Sequence, residues 1–136
     1  MTTPSLIFKW QSMAPELRSV LRIVAAIMFI QVGTMKLFGI PLRMPAGNTV
    51  VFPSEIWFGG ILEVFGGAFI LIGLCTRPIA FVLSGMMAVA YFQFHASRSI
   101  WTVENGGALA VLYCFVFLYF SAAGAGPWSV DEMRKK

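Results

Sequence analysis

Four long apolar runs limit what this chain can fold into. They extend over residues 17–38, 55–75, 78–96 and 105–123. A helix needs about 20 apolar residues to cross the hydrocarbon core of a bilayer, and each run is close to that length. Because exposed polar backbone is not tolerated in lipid, segments of this kind cross as helices. The runs predict an all-α integral membrane protein with four transmembrane helices.

Composition agrees with a membrane environment. The chain has 136 residues, of which 58% are hydrophobic and 12% charged, and its mean hydropathy is +0.79. A soluble domain is about a quarter charged, and a small one lacks the interior volume to bury so much apolar surface. We therefore expect residues 1–136 to form a single four-helix membrane domain, an antiparallel bundle surrounded by lipid.

The cations predict the orientation of this bundle. Four spans put both termini on one side of the membrane. If that side is cytoplasmic, seven of the ten cations lie inside, namely Lys9, Arg18, Arg22, Arg77, Arg134, Lys135 and Lys136, against Lys36, Arg43 and Arg98 outside. The positive-inside rule favours this orientation, with cytoplasmic N and C termini.

The segments between the runs predict where the helices begin. Ser54 before Glu55 is typical of a helix N-cap, and Thr76 before Arg77-Pro78 predicts a second cap after a tight turn. The first connection, residues 39–54, is long and contains three prolines, and loops of this length are usually functional or flexible. We predict that this loop is extracytoplasmic.

The polar residues of the predicted spans gather in the outer half of the bundle. They are Glu63, Lys36, His95, Gln31, Gln93 and Asn105. An isolated charge in hydrocarbon is costly. We therefore expect Lys36, Gln31 or His95 to pair with Glu63, or Glu63 to be protonated. Structural readings stay open: Glu63 could fix helix register, Lys36 could extend to the headgroups, and His95 and the two glutamines could serve as interhelical hydrogen-bonding groups.

Glycines flank the acid in the segment GGILEVFGG. Gly59, Gly60, Gly66 and Gly67 share one helical face with Glu63, because the five residues are spaced i, i+1, i+4, i+7 and i+8. Small faces allow helices to approach closely in membranes. This spacing predicts helix packing through the glycines and places Glu63 on the packed face.

Several kinds of chemistry are disfavoured by the sequence. The two cysteines, Cys75 and Cys114, form no CxxC pair, and one histidine cannot supply the axial ligands of two haems or a structural zinc site. We expect no metal, no haem and no nucleic-acid partner, and no catalytic motif is recognisable. The chemistry left is proton handling or the binding of a small molecule such as a quinone.

The order of these motifs resembles the DoxX family of small bacterial four-helix membrane proteins. The similarity rests on LRIVAAIMFIQVGTMKLFG, ILEVFGGAFILIGLCTRPIA, the histidine that ends the third run, NGGALAVLY and GAGPWSVDEM. The last segment is similar to the family's closing Gly-x-Gly-x-x-Ser-x-Asp pattern. The resemblance implies a helical bundle in the inner membrane and an association with redox systems.

Three functions are compatible with this reading. The first is a redox-associated subunit that binds a quinone or another small hydrophobic molecule in the outer half of the bundle. The second is a non-catalytic accessory or scaffolding subunit of a larger membrane complex, or a homo-oligomer, in which the glycine face serves packing alone. The third is a transporter of protons or small solutes, although the inner half offers few polar residues to continue a path.

Overall fold

The computed structural model describes residues 5–44 and 50–136. Residues 45–49, within the predicted loop 39–54, and residues 1–4 lie outside the described residues. The described chain is helical and contains no strand, as the sequence predicts. Its helices are α1 (Leu6–Ser12), α2 (Ala14–Phe38), α3 (Glu55–Ile72), α4 (Thr76–Ala90), which continues as a π-helical turn (Tyr91–His95), α5 (Thr102–Asn105), α6 (Ala108–Ala123) and α7 (Val130–Met133).

Three of the described helices are long and apolar enough to cross a membrane. They are α2, α3, and α4 together with its π-helical turn, Thr76–His95. α6 is apolar but has 16 residues, which span about 24 Å at the usual helical rise. The predicted fourth run begins at residue 105, whereas α6 begins at Ala108 because Gly106, with φ of 70°, ends α5 in the left-handed conformation.

Four helices contribute to one apolar core. Buried side chains come from α2, α3, α4 and α6, and they are Ala25, Ala26, Phe29, Ile70, Ala80, Leu83, Met87, Tyr113, Phe117 and Phe120. Phe29 of α2 lies at the centre, with its ring centroid 4.8 Å from that of Phe117 and 5.0 Å from that of Tyr113. These tilted and edge-to-face contacts join the first long helix to the last one.

Glycines let α2 and α3 approach closely. A Cβ atom added at Gly33 would lie 2.9 Å from Glu63 Cβ and 2.9 Å from the Gly60 carbonyl oxygen, and one at Gly67 would lie 2.6 Å from Ile30 Cγ1. Gly60 faces Leu37 of α2, whereas Gly66 faces Leu83 of α4. The α3 glycines therefore serve two neighbouring helices instead of one.

Gly59 departs from the packing role predicted for it. A Cβ atom at this position would meet no other atom within 4 Å. Gly59 lies two helical turns before Gly66 and points to nearly the same side of α3, but no neighbouring side chain fills that side at its level. Gly59 instead borders an open space near the end of the bundle that carries the connection from α2 to α3. We call this end the loop end, and the opposite end, with the α3–α4 turn, the terminal end.

Arg22 is fully buried at the terminal end. Its Nε donates to the Ala125 carbonyl at 2.8 Å, and its other nitrogens donate to the carbonyls of Ile70, Leu71 and Trp128. Two of these acceptors are carbonyls near the C-terminus of α3, where a cation is favoured by the unpaired carbonyls and the helix dipole. A residue that the sequence presents as a surface cation is thus an internal link between α2, α3 and the C-terminal segment.

The two predicted helix caps have different outcomes. Ser54 caps α3, since its side chain accepts a hydrogen bond from the Trp57 N–H at 3.2 Å. The prediction for Thr76 is wrong: Thr76 is the first residue of α4, and its preceding residue, Cys75, is in the left-handed conformation. Asp131 of α7 provides the cap instead, because its two carboxylate oxygens accept from the N–H groups of Cys75 and Thr76 at 2.7 and 2.8 Å.

Ionised Asp131 stabilises this turn. Burial opposes its ionisation, but the hydrogen bonds from Thr76 and Cys75 and the nearby Arg134 outweigh burial and lower the pKa of Asp131 below that of an ordinary aspartate. The backbone N–H of Asp131 also donates to the Gly73 carbonyl at 2.8 Å. The C-terminal segment therefore holds the α3–α4 turn through both its side chain and its backbone.

The close contact between α2 and α3 at Gly33 can be tested by adding one methyl group. We expect Gly33→Ala to lower the free energy of unfolding by about 1–3 kcal/mol, because the new methyl group meets backbone and a Cβ atom that cannot move aside easily. Gly59→Ala, which enters open space, is the matched control and should be neutral or slightly stabilising. Thermal unfolding of the two purified variants in detergent measures the difference; equal effects would contradict the close contact.

The Asp131 cap predicts a pH-dependent loss of stability. Asp131→Ala should cost about 0.5–2 kcal/mol at neutral pH, because it leaves two N–H groups at the start of α4 without their acceptor. The pKa of Asp131 is lower in the folded protein than in the unfolded chain. The stability that its ionised form contributes is therefore fully present above the unfolded pKa of about 4, and it is lost as the pH falls through the folded pKa. The difference from wild type should therefore shrink below about pH 4. Glu132→Ala removes a neighbouring carboxylate that pairs with exposed Lys135 and should show a smaller loss.

Candidate functional site

A cavity opens at the loop end of the bundle. Its volume is about 740 Å³, within the range usual for small-molecule sites. α3 and α4 with its π-helical turn form most of its wall, and the end of α2 and the loop residue Met44 complete it. Its polar lining residues are Lys36, Glu55, Glu63, Gln93, His95 and Arg98, and the rest of the lining is mostly apolar, including Met86 and Met87.

An ion pair between α2 and α3 lies at this cavity. Lys36 Nζ is 2.6 Å from Glu63 Oε1, and the Glu63 side chain is 2% exposed while that of Lys36 is 21% exposed. Of the three partners that the sequence offers for Glu63, the structure selects Lys36. The pairing is possible because the glycines bring the two helices close, and because helical side chains lean toward their own N-termini in these antiparallel helices.

The second carboxylate oxygen of Glu63 is the unusual atom of the site. Glu63 Oε2 is buried, and no hydrogen-bond donor among the described residues contacts it. A buried polar atom without a partner is costly. Because Glu63 lines the cavity, a donor carried by a molecule there would satisfy this oxygen if the carboxylate turned toward the open space. Lys36, which uses one of its three N–H groups on Oε1, retains donors of its own.

His95 lines the cavity, and a hydrogen bond determines which of its ring nitrogens donates. Its Nδ1 lies 3.0 Å from the carbonyl oxygen of Asn105. A carbonyl oxygen can only accept, so Nδ1 carries the proton, and Nε2 of the neutral ring is left as an acceptor. The structure therefore places His95 at the same cavity as Glu63 without pairing the two side chains.

A hydrogen bond between Gln93 and Glu55 joins the α4 side of the cavity to the α3 side. The Gln93 side-chain amide donates to Glu55 Oε2, which connects the π-helical turn to the first turn of α3. Sequence reasoning missed Glu55 as a member of the site. The signal was present, since Glu55, Gly59 and Glu63 are spaced i, i+4 and i+8, and such residues lie on one helical face.

Two predicted site residues lie elsewhere. Asn105 is buried and does not line the cavity: its side chain donates to the Ser99 carbonyl at 2.9 Å and to the Tyr91 hydroxyl at 3.4 Å and accepts from the Gly107 N–H at 2.7 Å. Gln31 is exposed on the opposite side of α2 from Gly33. Four of the six predicted residues, Lys36, Glu63, Gln93 and His95, thus share the cavity.

The π-helical turn at the end of α4 lies beside the cavity. Within it the Ala96 N–H donates to the Tyr91 carbonyl at 2.9 Å, five residues back. Such turns are rare, occur mostly as single interruptions of α-helices and are frequent at functional sites. Here the turn contains both Gln93 and His95, so the irregular backbone coincides with the polar side of the cavity.

The family model named DoxX matches residues 17–96. The chain belongs to the DoxX family. A protein of Haemophilus influenzae described as uncharacterized is 41% identical over 121 residues, which cover 87% of this chain and 90% of that protein. A second protein of the same organism, also described as uncharacterized, is 31% identical over 67 residues, 49% of this chain and 44% of that protein. No solved structure matches the chain significantly.

The DoxX match and the apolar helices together make this chain a membrane protein in contact with the lipid bilayer. The matched range includes Lys36, Glu63, Gln93 and His95. It excludes Asp131 and the rest of the C-terminal segment, so the cap on α4 comes from outside the matched region.

We expect the removal of Lys36 and the removal of Glu63 to change the stability of the protein by different amounts. Lys36→Met should destabilise the protein by about 3–5 kcal/mol, because it leaves a buried carboxylate without a countercharge. Glu63→Gln should cost less, since Lys36 can turn toward the cavity. The double variant should recover part of the Lys36→Met loss. A thermal-unfolding cycle in detergent measures these effects, and additive losses in the double variant would show that the two side chains do not interact.

Proposed function

We propose that the cavity binds a quinone, or another small hydrophobic molecule with a hydrogen-bonding head group, and that this DoxX protein acts as a redox-associated membrane subunit. The buried, unpartnered Glu63 Oε2 carries this proposal, because it is an unsatisfied acceptor among the described residues and belongs to a side chain that lines the cavity. Bound quinones supply reversible two-electron, two-proton chemistry.

The residues of the cavity suit both the oxidised and the reduced head group of a quinone. Lys36 can donate to a carbonyl oxygen through an N–H group that Glu63 does not use. Glu63 Oε2 and His95 Nε2 can accept from a hydroxyl group. Because Glu63 is 2% exposed, a proton that it receives is held close to Lys36 and shielded from bulk water.

The apolar part of the lining supports a hydrophobic ligand. Methionines at positions 44, 86 and 87 border the cavity together with Phe58, Leu62 and Phe94. Methionine side chains adapt to irregular shapes and contact aromatic rings favourably. A ring with a hydrocarbon substituent could therefore place its polar atoms at Lys36 and Glu63 and its apolar part against these side chains.

We further propose that α6 forms a fourth span, with both termini on the cytoplasmic side of the inner membrane. In this arrangement the cavity lies in the outer half of the bundle. The distribution of cations and the shared core of α2, α3, α4 and α6 support it.

The alternative is an accessory subunit that binds no small molecule. The Lys36–Glu63 contact at 2.6 Å favours it, because the two charges already neutralise each other while linking α2 to α3. Under this alternative Glu63 fixes the helix register, and the protein stabilises a larger membrane complex through its outer surface.

Ligand binding separates these two functions. With purified protein in detergent, we expect a short-chain ubiquinone analogue to raise the melting temperature in a concentration-dependent way, by the linkage between binding and stability. Glu63→Gln should weaken this stabilisation by about tenfold in apparent Kd, consistent with the loss of a charged hydrogen bond. Gln31→Leu, outside the cavity, is the control and should bind as wild type does.

Two results would count against the quinone proposal. One is the absence of stabilisation by oxidised and reduced analogues at concentrations that saturate known quinone proteins. The other is equal stabilisation of wild type and Glu63→Gln, which would indicate partition of the analogue into the micelle instead of binding at the cavity.

A further inference from the structure

Gln31 is a polar side chain on an otherwise apolar surface of α2. It is exposed, and its side chain makes no hydrogen bond to any residue that the structure describes. It lies seven residues from the end of α2 at Phe38, or about 10 Å along the helix axis. A primary amide at this depth faces hydrocarbon, where an unsatisfied polar group is costly.

The surface around Gln31 has a regular spacing. Seven residues recur at alternating intervals of four and three along α2, and they are Leu17, Leu21, Val24, Met28, Gln31, Met35 and Phe38. We call this set the Gln31 face. Its members are exposed except for Met35, which is half-buried. The glycine-containing surface that contacts α3 is on the other side of the helix.

An interval of 3.5 residues is the signature of helices that pack lengthwise against one another. In such seams most positions are apolar, and one polar residue sets the register and the number of helices. The Gln31 face has this composition, six apolar residues and one amide, and it carries no charged residue that would repel a second helix.

We infer that the Gln31 face is the interface of a symmetric dimer, in which α2 of one copy packs in parallel against α2 of a second copy. The amide selects this partner because it contains both a donor and an acceptor. Across a two-fold axis, two Gln31 side chains can therefore satisfy each other. Lipid chains offer neither group, whereas glutamine is one of the residues that form hydrogen bonds between helices in membranes.

The lipid-facing surface of α6 lacks this feature. The exposed residues of α6 between Leu109 and Leu118 include Leu112 and Phe115 and carry no amide or charge. Exposed Gln93 differs from Gln31, because its amide already donates to Glu55. The inference is independent of the ligand at the cavity, which lies on the opposite side of α2.

Association in vesicles tests the dimer. Labelled protein is reconstituted into phosphatidylcholine–phosphatidylglycerol vesicles at a series of protein-to-lipid ratios, and energy transfer gives the dimer fraction. We expect wild type to dimerise and Gln31→Leu to lower the dimerisation constant about 3- to 30-fold, the range for interhelical hydrogen bonds in membranes. Leu112→Ala, a lipid-facing change at a similar depth, should leave it unchanged.

Disulfide crosslinking provides a second test that does not depend on the energy of the amide contact. In a Cys75→Ala, Cys114→Ala background, Met28→Cys should give an oxidised dimer in vesicles, because the two copies of residue 28 lie near the axis. Leu112→Cys should remain monomeric. A monomer at every protein-to-lipid ratio, unchanged association of Gln31→Leu, or crosslinking through Leu112→Cys but not Met28→Cys would each overturn the inference.

Discussion

The close approach of α2 and α3 is the constraint on which the rest of the structure depends. Gly33 and Gly60 remove the side chains that would hold the two backbones apart, and only then can Lys36 reach Glu63. In lipid, apolar surfaces gain little by meeting each other, so packing and internal hydrogen bonds hold helices together. The glycines supply the packing, and the ion pair supplies a polar contact that lipid cannot replace.

The same constraint divides polar groups between the two ends of the bundle. At the terminal end, Arg22 and Asp131 use their hydrogen-bonding groups on backbone carbonyls and N–H groups, and connect segments distant in sequence. At the loop end, Glu63 has one oxygen paired and the other without a donor among the described residues. Three buried atoms of the terminal end, Glu16 Oε2, Arg18 Nε and Thr76 Oγ1, likewise have no partner among the described residues. The loop end is therefore distinguished by the mostly apolar cavity beside Glu63.

Much of the fold and part of the site could be predicted from sequence. The apolar runs indicated the long helices, and the spacing of the glycines around Glu63 indicated a packed face with an acid. The sequence left Lys36, Gln31 and His95 as partners of Glu63, or a protonated Glu63, and the structure selects Lys36. Periodicity within one helix could not show that Gly66 faces α4 instead of α2, because that depends on how three helices surround α3.

The errors share one physical cause. Thr76 was predicted as a cap from its neighbours, but the acceptor at this turn is Asp131, 55 residues later. Arg22 was only counted among the cytoplasmic cations, and the sequence did not show that its acceptors include carbonyls of Ala125 and Trp128. The local sequence indicates local hydrogen bonds well, but contacts between segments distant in sequence leave no periodic pattern.

The acceptors of Arg22 also bear on how the protein matures. Two of them lie near the end of α3, but the other two, Ala125 and Trp128, belong to the segment that follows α6. During synthesis from the N-terminus, α2 and α3 are complete well before those carbonyls exist, and the guanidinium must until then be hydrated or held at the membrane surface. The bundle can close around Arg22 only when the segment that follows α6 arrives, so completion of the core depends on residues made after all the long helices.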